Sequence, residues 1–210
     1  MTALETTEFV VRTIAQTAVD REKEFGDLDA VVGDGDFGYS LARGFEIVLA
    51  EWDTFDRTDA GTFLTKIALT ITSRIGGTSG PLWGTAFLRA GASLKGKDTV
   101  TGDDVVAALR AAAEGIKARG QSDVGDKTLL DALVPATDEL EAALAAGDDP
   151  AGALDRTATV ARAAADATTT MQARRGRASY TGERSIGSPD AGAVAVAVLA
   201  EQLALAWPER

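Results

Sequence analysis

The chain of 210 residues contains neither cysteine nor histidine. Without cysteine it can form no disulfide, no zinc–thiolate site and no thiol nucleophile. Without histidine, Ser-His-Asp and Cys-His catalysis, the common zinc sites and histidine proton shuttles are all excluded. Any chemistry must therefore use carboxylates, basic side chains, hydroxyls, backbone amides or a bound ion.

Long apolar runs are also missing, and the N-terminus has no signal-peptide pattern. We therefore expect a cytoplasmic protein with no membrane partner. The formal net charge of −11 argues against a nucleic-acid partner, because a phosphate backbone would be repelled. Basic residues are nevertheless bunched at Arg174, Arg175, Arg177 and Arg184, which indicates a local anion site.

Strand-like alternation is scarce, and alanine-rich stretches with apolar residues three and four apart predict an all-α fold. The length fits one domain over residues 1–210, and a hydrophobic content of 45% can fill a core. Only residues 28–32 look like a strand. Alanine allows helices to approach closely, as they do in a bundle. The predicted helices are about eight in number and cover residues 4–25, 40–51, 61–74, 81–94, 101–118, 128–146, 150–172 and 190–207.

Three aspartates, Asp29, Asp34 and Asp36, lie within eight residues and are interleaved with glycine. Clustered carboxylates repel one another unless a cation lies between them. Oxygen ligands suit Mg²⁺, which usually binds a phosphate ligand as well. The segment therefore predicts the metal site of a nucleotide-binding protein. Spacing alone leaves open a solvated acidic loop in which Asp36 caps the next helix.

Two segments match all or part of a nucleotide-binding motif, and we reject both. Residues 33–38 match G-x-G-x-x-G, but Asp34 and Asp36 would face a pyrophosphate directly, and the chain lacks alternating strands and helices. Residues 91–97 match the start of a P-loop, but Asp98 replaces the hydroxyl residue and a helix precedes the segment. We interpret it as an ordinary helix end. An EF-hand is excluded because Phe45 occupies the position of the required glutamate.

Three more glycine-bearing loops precede or connect the predicted helices. Residues 76–81 offer backbone amides at a helix start together with Thr78 and Ser79, which suits a phosphate; a plain serine cap followed by proline is the alternative. Residues 125–128 fit a nucleotide contact or a capped turn. Residues 174–187 could close over phosphates as an arginine-bearing lid, or form a charged surface loop. We expect these loops to meet the acidic segment at one mouth.

Taken together, these segments resemble the nucleotide-binding L subunit of dihydroxyacetone kinase, the DhaL family. The resemblance rests on residues 28–36, 76–85, 125–133, 174–187 and 190–193, which occur in family order over nearly the whole chain. It implies an eight-helix antiparallel barrel with the nucleotide site formed by loops at one end. Residues 174–187 would be the lid of that site.

The resemblance also implies the site residues. Asp29, Asp34 and Asp36 would hold two Mg²⁺ ions that bridge the phosphates of ATP or ADP. No catalytic residue is expected beyond metal and phosphate ligands, with Arg177 as the candidate clamp, because phosphoryl transfer mainly needs positioning and charge neutralisation. The residues expected to line the nucleotide are Phe37, Gly38, Tyr39, Ser40, Gly77, Thr78, Ser79, Gly120, Leu129, Arg177, Asp190, Ala191 and Gly192.

The implied reaction is phosphoryl transfer to a short hydroxyketone held by a separate K subunit. In that subunit a histidine binds the substrate, and because this chain has no histidine it would act only with such a partner. ATP could be an exchangeable substrate, or bound ADP could be rephosphorylated by a phosphotransferase-system protein.

The chain departs from the family pattern at Phe37 and Ser188, where many relatives carry histidine. The ketose could therefore be dihydroxyacetone or a four-carbon sugar such as erythrulose. Two alternatives outside ketose phosphorylation are acyl phosphorylation, since fatty-acid kinases carry a related nucleotide domain, and a nucleotide-loaded regulatory subunit without its own turnover.

Overall fold

The computed structural model describes residues 1–207, which form helices and loops and contain no strand. Nine α-helices lie in this range, together with 3₁₀ segments at Trp52–Thr54, Thr168–Thr170 and Arg177–Ser185. The helices are α1 (Ala3–Asp20), α2 (Glu22–Asp29), α3 (Phe37–Ala50), α4 (Ala60–Arg74), α5 (Ser79–Leu94), α6 (Gly102–Gly120), α7 (Leu130–Ala146), α8 (Pro150–Ala167) and α9 (Ala191–Ala206).

The eight long helices, α1 and α3 to α9, pack side by side in chain order and run alternately up and down. α5 and α6 are antiparallel, because Gly120 lies beside Leu82 whereas Gly115 lies beside Arg89. α9 packs back against α1, where the rings of Phe9 and Trp207 meet edge to face at 5.7 Å. The predicted all-α antiparallel barrel is therefore confirmed.

Most of the long helices turn one apolar face into the core of the barrel, whereas α9 is apolar on nearly every side and is buried on most of them. The largest fully buried apolar members of the core come from six different helices, α1 to α4, α6 and α7, so no pair of neighbouring helices accounts for it. They include Phe25, Phe45, Phe63, Ile67, Ile71, Ile116 and Leu130.

Two details of the N-terminal third differ from prediction. The predicted helix 4–25 is interrupted at Arg21, and a short ninth helix, α2, follows the break. Residues 28–32 are not a strand, since α2 continues to Asp29 and a turn follows. The amides of Ala30 and Gly33 bond back to the carbonyls of Gly26 and Asp29, so the helix satisfies the groups that a strand would have offered to a neighbour.

Other helix ends agree with the sequence signals. Thr101 and Asp104 form the expected capping box, and Pro150 occupies the first turn of α8 behind the capping Asp149. α5 ends at Leu94, so residues 91–97 are the predicted helix end. α8 stops at Ala167, short of the predicted residue 172, and passes into a 3₁₀ turn.

The alternation of long helices sorts the connections between two ends of the barrel. Residues 30–36, 75–78, 121–129 and 168–190 lie at one end, which we call the mouth. Residues 51–59, 95–101 and 147–149 lie with the N-terminus at the other end, the base. All four glycine-bearing loops thus occur at the mouth, as predicted. None of the helices within residues 1–207 combines the length and apolar character needed to cross a membrane.

Candidate functional site

The three aspartates converge at the mouth. Asp29 is the last residue of α2, and Asp34 and Asp36 lie in the turn that leads into α3. Each offers a carboxylate oxygen, and these oxygens lie within 4.8 Å of one another. Gly33 makes this possible, because a Cβ at that position would lie 2.3 Å from a carboxylate oxygen of Asp29. The turn brings the three charges together by leaving no side chain between them.

The carboxylates are short of partners within the described chain. Oδ2 of Asp29 is buried and makes no hydrogen bond. Asp36 stands at the start of α3, but its side chain does not cap the helix. Burial, followed by the neighbouring charge of Asp34, raises the pKa of Asp36. An all-oxygen cluster with a buried, unpaired carboxylate oxygen fits a hard divalent cation such as Mg²⁺.

The basic segment reaches this acidic cluster. Nε of Arg177 lies 2.8 Å from Oδ2 of Asp34, although the arginine side chain is 65% exposed. The structure therefore brings together two predicted site residues that are far apart in sequence. An exposed guanidinium beside an incompletely neutralised cluster is well placed to contact an anionic ligand.

The start of α5 is open. Gly77 has a φ of +64°, which turns the chain into the helix. Thr78 stands at the cap position and is exposed, yet its hydroxyl makes no capping hydrogen bond; Ser79 is the first helical residue. The serine cap considered as an alternative is thus not formed. Backbone amides and two hydroxyls remain available to an anion.

The first turn of α3 faces two ways. Phe37 is 9% exposed and packs on Phe25, with ring centroids 6.0 Å apart. Gly38 lies against α2, where a Cβ would approach the carbonyl oxygen of Glu22 to 2.0 Å. Backbone groups are therefore what these two residues can offer a ligand. Tyr39 is exposed. Ser40 is half-buried, and its backbone amide donates to the main-chain carbonyl of Asp36.

The remaining predicted residues lie where α6, α7 and α9 reach the mouth. Gly120 ends α6, Leu129 precedes α7, and Ala191 begins α9. Gly192 lies close to Leu129, since a Cβ on it would be 3.3 Å from the leucine Cβ. Asp190 accepts a hydrogen bond from the amide of Ala193 at 2.8 Å and so caps α9. Burial raises the pKa of Asp190 to about 7.

Asp131 was not predicted as a site residue, yet it shapes the 125–128 turn. One carboxylate oxygen accepts the amide of Gly125 at 2.6 Å, and the other accepts the amide of Thr128 at 2.7 Å. The three-residue spacing from Thr128 to Asp131 is a capping signal that could have revealed it. Lys127, in the same turn, is 2% exposed. No signal in the sequence marks it as buried.

The comparison with known proteins identifies the family. The family model of the DAK2 domain matches residues 31–205. The chain belongs to the DAK2 domain family.

Two kinase proteins are similar to this chain over most of its length. It is 39% identical to the ADP-binding subunit DhaL of the PEP-dependent dihydroxyacetone kinase of Escherichia coli, over 87% of each chain. It is 40% identical to the L-erythrulose 1-kinase of Mycolicibacterium smegmatis, over 92% of this chain but 34% of that enzyme.

A solved kinase structure contains the same fold. The dihydroxyacetone kinase of C. freundii in complex with AMP-PNP and Mg²⁺ matches with a TM-score of 0.76 and 28% identity. The match covers 96% of this chain and 34% of that one. The chain therefore corresponds to about a third of the C. freundii enzyme.

Proposed function

We propose that the chain is the nucleotide-binding phosphotransferase subunit of a short-ketose kinase of the dihydroxyacetone type. The observation that carries this proposal is the convergence of Asp29, Asp34 and Asp36 around an unpaired buried oxygen, with Arg177 beside them. The similarity to an ADP-binding kinase subunit supports it. Residues 1–210 would then act as one nucleotide-binding domain.

Each element of the site has a defined part in this proposal. The three aspartates would hold Mg²⁺, two ions being expected, and the bound metal would neutralise charge on the phosphates of ATP or ADP. The amides and hydroxyls of Thr78 and Ser79 would donate hydrogen bonds to phosphate oxygens. Arg177 would clamp the same phosphates from the opposite side. Positioning of this kind is most of what phosphoryl transfer requires.

We place the rest of the nucleotide against the helix starts and ends at the mouth. Phe37 and Gly38 would contribute backbone groups, and residues 174–187 would act as the lid. The remaining lining residues in this proposal are Tyr39, Ser40, Gly77, Gly120, Leu129, Asp190, Ala191 and Gly192.

The acceptor sugar requires a second protein. We propose a K-type subunit that presents the ketose, in the cytoplasm, without nucleic acid or membrane. The E. coli relative belongs to a PEP-dependent kinase, which favours rephosphorylation of bound ADP by a phosphotransferase-system protein. The alternative source of phosphate is ATP that exchanges with solution. The similarity to an erythrulose kinase keeps a four-carbon ketose as the alternative acceptor.

A reconstituted kinase assay tests this proposal. The chain is combined with a K-type partner and offered dihydroxyacetone or erythrulose, with either ATP or phosphoenolpyruvate plus phosphotransferase-system proteins. We expect ketose phosphorylation that requires both chains and is abolished by the triple substitution D29N/D34N/D36N. Tight Mg·nucleotide binding with no sugar phosphate from any combination would instead favour a nucleotide-loaded regulatory subunit.

A further inference from the structure

Lys127 lies beneath the predicted lid and bonds only to main-chain oxygens there. Its Nζ donates to the carbonyl of Met171 at 3.1 Å and to that of Ser188 at 2.7 Å. A third hydrogen bond goes to the carbonyl of Ser185. Met171 and Ser188 flank the lid and Ser185 lies near its end, so one side chain ties the beginning of the lid to its end.

The chemistry of this contact suits a protonated amine. An ammonium group has three N–H donors and no acceptor, and here it meets three carbonyl oxygens. Burial lowers the pKa of Lys127, and the nearby Asp190 opposes that shift. The residue also has a φ of +62°, which a side chain other than glycine adopts only at a cost in energy. These three bonds replace the water that the buried amine has lost, while Asp131 holds the turn in which the backbone of Lys127 lies.

The surrounding contacts form a narrow neck, which we define as residues 168–173 and 185–190. Within it, the amide of Ala173 donates to Oγ of Ser185 at 2.9 Å. The amide of Gly187 donates to the carbonyl of Thr169 at 2.8 Å. Thr168 and Ser185 are fully buried. The neck is therefore a small polar core whose centre is the amine of Lys127.

Beyond the neck, the lid is largely exposed and reaches the acidic cluster through Arg177. The segment from Arg174 to Arg184 has little apolar burial of its own to fix it. Apart from the exposed Arg177–Asp34 pair and the bond from the amide of Arg174 to the carbonyl of Asp126, its position above the mouth is set where its two ends are held.

We propose that Lys127 is a positioning residue, which sets the orientation of the lid and thereby the rate at which nucleotide leaves the mouth. This inference rests on the proposed function for its nucleotide part. Its structural part, that the amine of Lys127 holds the lid closed at the neck, stands without any ligand. Lys127 itself need not touch nucleotide, metal or the reacting atoms.

The first test is limited proteolysis of the full chain without nucleotide. Trypsin cleavage after Arg174, Arg175, Arg177 and Arg184 is followed by mass spectrometry in wild type and in Lys127→Met. Removing buried donors from three acceptors should speed lid cleavage by about tenfold or more. The matched control, Lys66→Met, exchanges an exposed lysine on α4 and should leave the lid as resistant as in wild type.

The second test restores the amine chemically. The chain has no cysteine, so a thiol introduced by Lys127→Cys is unique. Treated in denaturant with 2-bromoethylamine, the thiolate displaces bromide and forms an aminoethyl thioether of lysine's length. After refolding, the aminoethylated protein should recover a protease-resistant lid, whereas the unmodified cysteine variant should not.

Nucleotide release separates the two parts of the inference. Dissociation of a fluorescent ADP analogue in Mg²⁺ should be about tenfold faster in Lys127→Met and restored by aminoethylation. If wild type does not bind the analogue, the proposed function fails, but the proteolysis comparison still tests the neck. If the analogue binds and the lid of Lys127→Met is cleaved no faster than that of wild type, the positioning role is wrong.

Loss of folding is the remaining outcome and is read by circular dichroism. Lys127→Gln keeps two N–H donors on a shorter neutral side chain and should give intermediate cleavage. If every variant without the amine is globally unfolded and only the aminoethylated protein folds, Lys127 is a general folding residue and the proposal is overturned.

Discussion

The two ends of the barrel treat the first turns of their helices differently. At the base, all four helix starts are closed by a side chain that accepts a hydrogen bond from a first-turn amide. At the mouth, α3 and α5 have no such side-chain cap. Asp190 caps α9, and the first amide of α7, that of Leu130, donates to the hydroxyl of Thr128 at 3.2 Å. The capping residues of the base are Thr2, Asp59, Thr101 and Asp149.

This contrast separates stability from binding. A side-chain cap contributes about 1 kcal/mol to stability, so the mouth forgoes stabilisation that the base retains. The uncapped amides and the partial positive charge of each helix start remain free for an anionic ligand. The base also anchors Arg57, which bonds to Glu8 and to the carbonyls of Trp52 and Phe55. The base thus holds the barrel together, whereas the mouth leaves hydrogen-bond donors free, as the proposed nucleotide site requires.

The largest expected effect on nucleotide binding is at the acidic cluster. Asp34→Ala should weaken Mg·ADP binding by about 100-fold, or about 2.7 kcal/mol, because it removes a proposed metal ligand. Stability should not fall, since repulsion among the three carboxylates is relieved. Titration calorimetry and urea unfolding measure the two quantities. Asp53→Ala removes an exposed carboxylate at the base and should change neither; unchanged ADP affinity in Asp34→Ala would remove that aspartate from the site.

At the close contact between α2 and α3, by contrast, a substitution should lower stability. Gly38→Ala would force a methyl group into the backbone of α2, so the free energy of unfolding should drop by about 3 kcal/mol or more. Gly77→Ala is the matched control, because nothing lies near its Cβ position and the positive φ costs about 1–2 kcal/mol at most. Urea unfolding compares them. Equal or greater destabilisation by Gly77→Ala would contradict the assignment of Gly38 to packing.

The lid arginine gives an intermediate effect on binding. Arg177→Gln should lower ADP affinity by about tenfold, because it removes a charged, two-pronged donor from the phosphates. Stability should stay within about 0.5 kcal/mol, since the pair with Asp34 is exposed. Arg184→Gln removes an equally exposed charge from the same segment. If the two variants lose affinity equally, Arg177 has no specific role as a clamp.

The smallest effects are expected when threonine at a helix start is replaced by alanine, once at the base and once at the mouth. Thr101→Ala at the base removes a capping box and should reduce stability by about 1 kcal/mol with unchanged ADP affinity. Thr78→Ala at the mouth should leave stability nearly unchanged and weaken ADP binding, because its hydroxyl caps nothing. Thermal unfolding and calorimetry report both. The reverse pattern would remove the distinction between the two ends.

The sequence was a good guide where the signal was local. The eight long helices were predictable because most of them turn one apolar face inward at regular spacing, and α9 is a long alanine-rich apolar stretch. Their starts at the base were readable from Thr101 and from Asp149 with Pro150. The break at Arg21 was not, since no glycine or proline marks it. The short apolar run at 28–32 misled because so brief a run does not distinguish a strand from a helix end.

In the site, too, features with a local sequence signal were predictable and the others were not. The convergence of the three aspartates followed from their spacing around glycine, which a turn of any kind would bring close. The role of Asp36 could not be settled from spacing, because a capping and a free carboxylate have the same sequence pattern. Lys127 was beyond reach, since its partners lie 44 to 61 residues away and are main-chain carbonyls without a sequence signature.

Because Lys127 binds main-chain carbonyls and no side chains, the lid sequence can change during evolution. The exposed lid residues between the two halves of the neck could be replaced without loosening it, whereas the buried Thr168 and Ser185 could not. Descendants of this chain could therefore try new loop chemistries, and with them new sugars or docking partners, one substitution at a time. The invariant part of such a lineage would be a lysine in the connection between the sixth and seventh helices.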